Sequence, residues 1–131
     1  MTGITDLTEL LSSMQPELQP SEFVFCHVSG ELSQHLTLNP IATFIEAEGL
    51  TLVLEKTSAE QAGIPFDGRF KQITLTVHSS LEAVGLTAAV SGQLANKGIS
   101  ANVIAAYYHD HIFVPADQAE AALAALSELS R

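Results

Sequence analysis

Residues 77–86, VHSSLEAVGL, are the part of this chain best equipped to hold a small charged ligand. The segment is polar through Ser79 and Ser80, reaches Gly85, and enters an apolar helical pattern at Leu86. The first N–H groups of a helix lack partners within it and carry partial positive charge, so they can receive a carboxylate. A glycine at that point lets a ligand approach the backbone closely. Ser79 and Ser80 supply hydroxyls for the same carboxylate, and Asn102, at the start of the following strand, can meet an ammonium group or a side chain. Leu81, Leu86 and Val103 complete the candidate lining. The same residues admit a plainer reading. Ser79 and Glu82 have the spacing of a capping box, which would only start a helix at Ser80. The residues alone weigh the two equally.

A second group is His109, Asp110 and His111 within YYHDHIF. All three are metal-ligand types, and the two histidines share a face if a strand runs through them. A metal site needs three or four converging ligands, however, and His27, His35 and His78 are scattered along the chain. Asp110 reads more simply as a turn residue, and Tyr107 and Tyr108 as strand residues with one ring inward. Glu46 and Glu48 resemble paired acids, but strand alternation puts both on a solvated face beside a turn. No nucleophile elbow, phosphate-binding glycine loop or HExxH pattern is present. The expectation is a protein with no catalytic activity, no cofactor and no metal.

Composition narrows the partners. Five basic against fifteen acidic residues give a formal net charge of −10, which repels nucleic acid and anionic membrane surfaces alike. An apolar fraction of 47% with only 15% charged residues exceeds what a small monomer needs, and no apolar run is long enough to span a bilayer. Surplus apolar surface without a membrane segment points to a homo-oligomer, a dimer or higher. The single cysteine, Cys26, excludes an internal disulfide, and the N-terminus has no secretory pattern, so the expected location is the cytoplasm. Cys26 lies in the apolar run FVFCHV, where it reads as a small buried hydrophobe.

The elements that must position these residues follow from periodicity. Ile4, Leu7, Leu10, Leu11 and Met14 repeat at helical spacing until Pro16. MQPELQPSE reads as a proline-bearing connection into a strand over 23–28, apolar on both faces and therefore interior. SGELSQHLTLNP reads as loop. A hairpin turns near Gly49, and Thr57 with Glu60 caps a short helix that Gly63-Ile64-Pro65 ends. Ile73, Leu75 and Val77 alternate as a half-buried strand. Leu86, Ala89, Val90, Gln93 and Leu94 then form a helical face that closes near Gly98. Residues 99–108 and 111–114 read as strands. After Pro115, Asp117 and Glu120 have capping spacing ahead of a stripe of Ala119, Ala122, Leu123, Leu126 and Leu129.

The order strand, helix, strand, strand, helix is most of a ferredoxin-like βαββαβ unit. The run from Val77 to Tyr107 resembles an ACT domain: strand, polar loop, Gly85-Leu86 opening a helix, a close near Gly98, and Ile99-Ser100 starting strand two. The first half resembles a reduced ACT unit, with the N-terminal helix standing in for its missing long one. The resemblance implies an α+β protein of two interlocked ferredoxin-like ACT-type units, 1–69 and 70–131, with antiparallel sheets and helices packed on one face. The strand over 23–28 would complete the second unit's sheet. The resemblance also implies a tandem-ACT regulatory protein that binds an amino acid at a unit interface, through Ser79, Ser80, Leu81, Gly85, Leu86, Asn102 and Val103. The alternatives are a module that docks on a metabolic enzyme without a ligand, and a metal-binding regulator through His109 and His111.

Overall fold

The computed structural model describes residues 6–78 and 80–130. Helix α1, Leu7–Ser13, is capped by Asp6, whose carboxylate accepts from Thr8 N at 2.9 Å and Glu9 N at 3.3 Å. Leu10 and Met14 of the expected stripe are buried, while Ile4 lies outside the described residues. Strand β1 then runs Pro16–Val28, so the expected proline-bearing connection is strand instead. Long-range partners explain it. Leu18 packs on the core, Gln19 Nε2 donates to Thr74 Oγ1 at 3.2 Å, and Lys71 Nζ donates to Pro20 O at 2.8 Å. Pairing of β1 with strand β3 (Gly49–Glu55) starts only at Phe23, so Pro20 sits where a missing N–H breaks no bond of that ladder.

The expected loop after β1 contains two short 3-10 turns, Leu32–Gln34 and Leu36–Leu38. The Gln34 side chain accepts from Glu31 N at 2.8 Å, an interaction too local to leave a hydrophobic period. Strand β2, Ala42–Glu46, and β3 form the hairpin, with Glu46 opposite Gly49. Gly49 has φ +144°, and a Cβ there would collide with the His27 ring. Helix α2, Lys56–Ala62, starts one residue before Thr57 on Glu55, with no side-chain cap, so the expected Thr57–Glu60 capping box does not form. β3 runs straight into the helix, placing Thr57 inside the first turn and leaving Glu60 to pair with Lys56 at 3.3 Å. Gly63 ends α2 in the left-handed conformation, as a C-terminal glycine should.

Strand β4, Phe70–Leu75, leads to helix α3, Leu86–Asn96, strand β5, Asn102–Ala105, strand β6, Asp110–Pro115, and helix α4, Ala119–Leu129. The strand expected over 99–108 shortens to β5. Ile99 turns inward and its N–H closes α3 on Leu94 O at 2.9 Å, while Ala106 N bonds His109 O at 3.0 Å in a turn. A 3-10 turn, Ala116–Gln118, precedes α4, and its N-cap is Gln118 without a side-chain bond rather than an Asp117–Glu120 box. The six strands make one antiparallel sheet in the order β2-β3-β1-β4-β6-β5.

Two compact units divide the chain: Met1–Pro20 with Lys71–Arg131, and Ser21–Phe70. By contact, helix α1 therefore groups with the C-terminal half. In the first of these units, Ile73, Leu75, Ile112 and Val114 meet Leu86, Val90 and Leu94 of α3 and Ala122 and Leu126 of α4, with Leu10 and Met14 of α1. In the second, Val24, Cys26, Leu50, Leu52 and Leu54 meet Ala59 of α2. Cys26 is a buried member of that core, and burial pushes its thiol pKa up, away from reactivity.

The other side of β4 and β6 carries a polar network. Gln72 Nε2 and the Thr74 hydroxyl lie 3.1 and 3.0 Å from His111 Nδ1. An amide nitrogen only donates, so Nδ1 accepts and the ring proton sits on Nε2. Burial, then the neighbouring His109, holds the His111 pKa below its usual value, with Asp110 opposing. Asp110, buried at the start of β6, is shifted upward by that burial.

Two outcomes follow. Gly49→Val meets both the positive φ and the His27 ring, and should cost about 1–3 kcal/mol in chemical denaturation. A loss within about half a kcal/mol would contradict the packing of that turn. The second concerns pH. With a folded pKa below the unfolded value of about 6.5, His111 binds more protons unfolded, so its contribution falls as pH drops through and below 6.5. The raised Asp110 acts oppositely, but starting from the carboxylate range. His111→Asn keeps an acceptor and removes the titration. Its melting temperature should fall less than that of the wild type between pH 7 and 5.5, and parallel curves would show that His111 is not a source of the slope.

Candidate functional site

The loop between β4 and α3 does not start a helix at Ser80. Ser80 Oγ accepts from Glu82 N at 3.1 Å and Ser80 O from Ala83 N at 2.9 Å, which makes a local turn. Ser79 lies outside the described residues. The helix begins at Leu86, after Gly85 at φ +102°, and this glycine N-cap has no side chain with which to bond the first N–H groups. Gly85 also has a packing duty, because a Cβ there would lie 3.1 Å from Leu7 Cδ2 of α1. The positive φ calls for glycine, and a Cβ would press on the end of the Leu7 side chain.

The other predicted residues divide by environment. Leu86 is buried in the core with Val90 and Leu94, and Val103 packs partly against the same core. Leu81 is exposed, as is Val84 beside it. Asn102 opens β5, where its Nδ2 donates to Phe113 O at 3.2 Å and ties the edge strand to β6. Its side-chain oxygen remains an acceptor. Ser80, Leu81 and Gly85 thus lie in one loop ahead of Leu86, while Asn102 and Val103 lie on the edge strand β5 of the same unit, with β6 between it and β4.

Near this turn the rings of His78 and Tyr108 lie tilted by 51° with centroids 5.2 Å apart, and those of Tyr107 and Tyr108 meet edge to face at 5.0 Å. Tyr107 and Tyr108 are 61% and 59% exposed, so neither ring turns inward as expected; residues 106–109 form a turn, which frees both from strand alternation. His109 and His111 have centroids 6.5 Å apart with rings nearly perpendicular, and His111 Nδ1 already serves Gln72 and Thr74. Among the described residues, no group of three or more His, Cys, Asp and Glu converges. Glu46 and Glu48 are both exposed, and Glu46 accepts from the Thr51 hydroxyl.

A feature that spacing did not reveal lies in the Ser21–Phe70 unit. An open cleft of about 600 Å³ is lined by the end of β1, the two 3-10 turns and the C-terminal end of α2, and it includes His27 and His35. These histidines look scattered in the sequence because His27 is on β1 and His35 on the irregular connection that follows it, so they share no strand or helix period. The one local signal was the helix stop at Gly63-Ile64-Pro65.

The chain is 59% identical to a protein of unknown function from Vibrio cholerae, described as a possible transport protein. The match covers 99% of this chain and 100% of that one, with a TM-score of 0.89. At 13% identity, the ligand-free regulatory subunit of aspartate kinase from Thermus thermophilus shares the fold with a TM-score of 0.62, over 92% of this chain and 99% of that one. The corresponding subunit from Thermus flavus, at 12% identity, does so with a TM-score of 0.65, over 89% and 97%. No curated protein matches the chain. Residues 2–71 match the ACT domain, as do residues 69–128. With its glycine-opened helix and its αβ units, this chain belongs to the ACT domain family and carries two ACT units in tandem.

Proposed function

We propose that this protein is a non-catalytic regulator that senses an amino acid at the Gly85 turn. The observation that carries this reading is the N-terminus of α3, opened by the glycine N-cap Gly85, which has no side chain to bond it, within an ACT domain. Its N–H groups would take the carboxylate, the Ser79 and Ser80 hydroxyls would assist, and Asn102 would meet the ammonium or the side chain. Leu81, Leu86 and Val103 would supply the apolar surround. The fold shared with aspartate kinase regulatory subunits supports a regulatory role. No helix among the described residues is long and apolar enough to cross a membrane, and the buried Cys26 suits a reducing cytoplasm. The exposed Leu81, Val84, Tyr107 and Tyr108 favour the second reading, a module that docks on an enzyme.

The readings separate in a thermal-shift screen of proteinogenic amino acids at millimolar concentration. A ligand that binds only the folded protein stabilises it by about 2.7 kcal/mol at a hundred times its Kd. At this chain length that raises Tm by several degrees. A few related amino acids should do so, with the shift reduced in Ser79→Ala and Asn102→Ala. A flat screen, repeated by calorimetry, would remove the sensor and leave the docking module.

Assembly is a separate expectation. Phe44 and Ile45 of the edge strand β2 are 70% and 82% exposed, in a chain already rich in apolar residues. Sedimentation equilibrium at micromolar concentration should give a dimer or larger, weakened by Ile45→Lys. A 13.9 kDa monomer would show that these residues are not interfacial.

A further inference from the structure

Asp110 is the one charged side chain buried among the described residues, at 8% exposure, and no hydrogen bond or ion pair from them reaches its carboxylate. A carboxylate taken out of water without a partner is unfavourable, so such a group calls for an explanation. The described residues cannot supply the missing positive charge. Lys56 pairs with Glu60 at 3.3 Å, Arg69 with Glu22 at 2.8 Å and Lys97 with Glu128 at 3.7 Å, while Lys71 donates to Pro20 O at 2.8 Å. His111, next in sequence, bonds Gln72 and Thr74 on the other face of the sheet. Burial accordingly raises the Asp110 pKa, with His111 and then His109 opposing.

Strand geometry shows where this carboxylate lies. Asp110 stands opposite Ala105, and Ile112 opposite Val103. Side chains two apart on a strand share a face, so Asp110 is on the side of Ile112 and Val114, which meet α3 and α4. His111 Nδ1 is 3.0 Å from Thr74 Oγ1, which puts Asp110 beside the last residues of β4. The loop to Gly85 leaves from this end of the sheet, and Leu86 returns into the core that holds Leu75, Val77 and Ile112. Among the described residues, no side-chain oxygen is both sealed from solvent and unbonded, so the Asp110 carboxylate keeps a side that a solute can reach. An acceptor for a cation therefore sits in the same unit as the α3 N-terminus, on the face that α3 covers.

We propose that Asp110 binds the α-ammonium group of the amino acid sensed at the Gly85 turn, an inference that rests on the sensor reading. The two charged groups of the ligand then meet opposite partners, its carboxylate at the N–H groups of α3 and its ammonium at Asp110. Asn102, whose Nδ2 is committed to Phe113 O, is left to the ligand's side chain. Charge-assisted hydrogen bonds form on binding where the free protein has none, which relieves the unpaired carboxylate. Acids that lack the amine lose this contact.

The test changes the protein and the ligand separately. For every proteinogenic amino acid that raises Tm, calorimetry compares it with the corresponding α-hydroxy acid, on the wild type and on Asp110→Asn and Asp110→Ser. The wild type should prefer the amine by about tenfold or more, and both variants should lose that preference. With no internal partner to lose, Asp110→Asn should match or exceed the ligand-free Tm of the wild type at neutral pH. Amino acids that bind Asp110→Asn as well as the wild type, or hydroxy acids that bind the wild type as well as amino acids, would overturn the assignment and leave the sensor standing. A lower ligand-free Tm in Asp110→Asn would overturn it too, by revealing a structural partner for the carboxylate. A flat screen on the wild type would remove the sensor and this assignment together.

Discussion

The constraint on which the rest of this molecule depends is the dual use of β1. The division between compact units falls inside this one strand, between Pro20 and Ser21. Its early residues contribute Leu18 to one core, and its later residues contribute Val24 and Cys26 to the other. Neither half of the chain can therefore be cut away with its sheet intact, even though the ACT domain matches meet near residue 70. Tandem repetition in the sequence and compactness in space divide the protein at different places.

Within the Met1–Pro20 and Lys71–Arg131 unit, α1 and α3 depend on each other at Gly85. The left-handed conformation opens α3, and the missing side chain lets Leu7 approach. Leu10 and Met14 follow Leu7 into a core made by α3, α4, β4 and β6. Truncating such side chains to alanine typically costs 2–5 kcal/mol, so α1 is an integral part of this unit. One glycine thus carries a packing role and a backbone suited to ligand approach.

The amino-acid site we propose lies at the N-terminus of α3, in the Met1–Pro20 and Lys71–Arg131 unit, and the open cleft with His27 and His35 lies in the other. The repeats have diverged in their helices as well, since two 3-10 turns stand in the first where the second has α3.

The sequence by itself determined the elements whose signal is local and periodic. The Leu86–Val90–Leu94 face, the α4 stripe, the alternation of Leu50, Leu52 and Leu54, and the turn at Gly49 were all legible, because each is written in the period or turn chemistry of its own element. So was the ACT order of strand, glycine-opened helix and strand. What only the tertiary structure decided were features that depend on a distant partner. Pro16 to Pro20 are strand because Thr74 and Lys71 bond to them, and Ile99 leaves β5 because the core takes it in. Thr57 caps nothing because β3 runs directly into α2. His27 and His35 reach the same cleft through the irregular connection after β1, which no periodicity records. A side chain's pattern reports which face is buried, and it carries no information about which remote residue completes the contact.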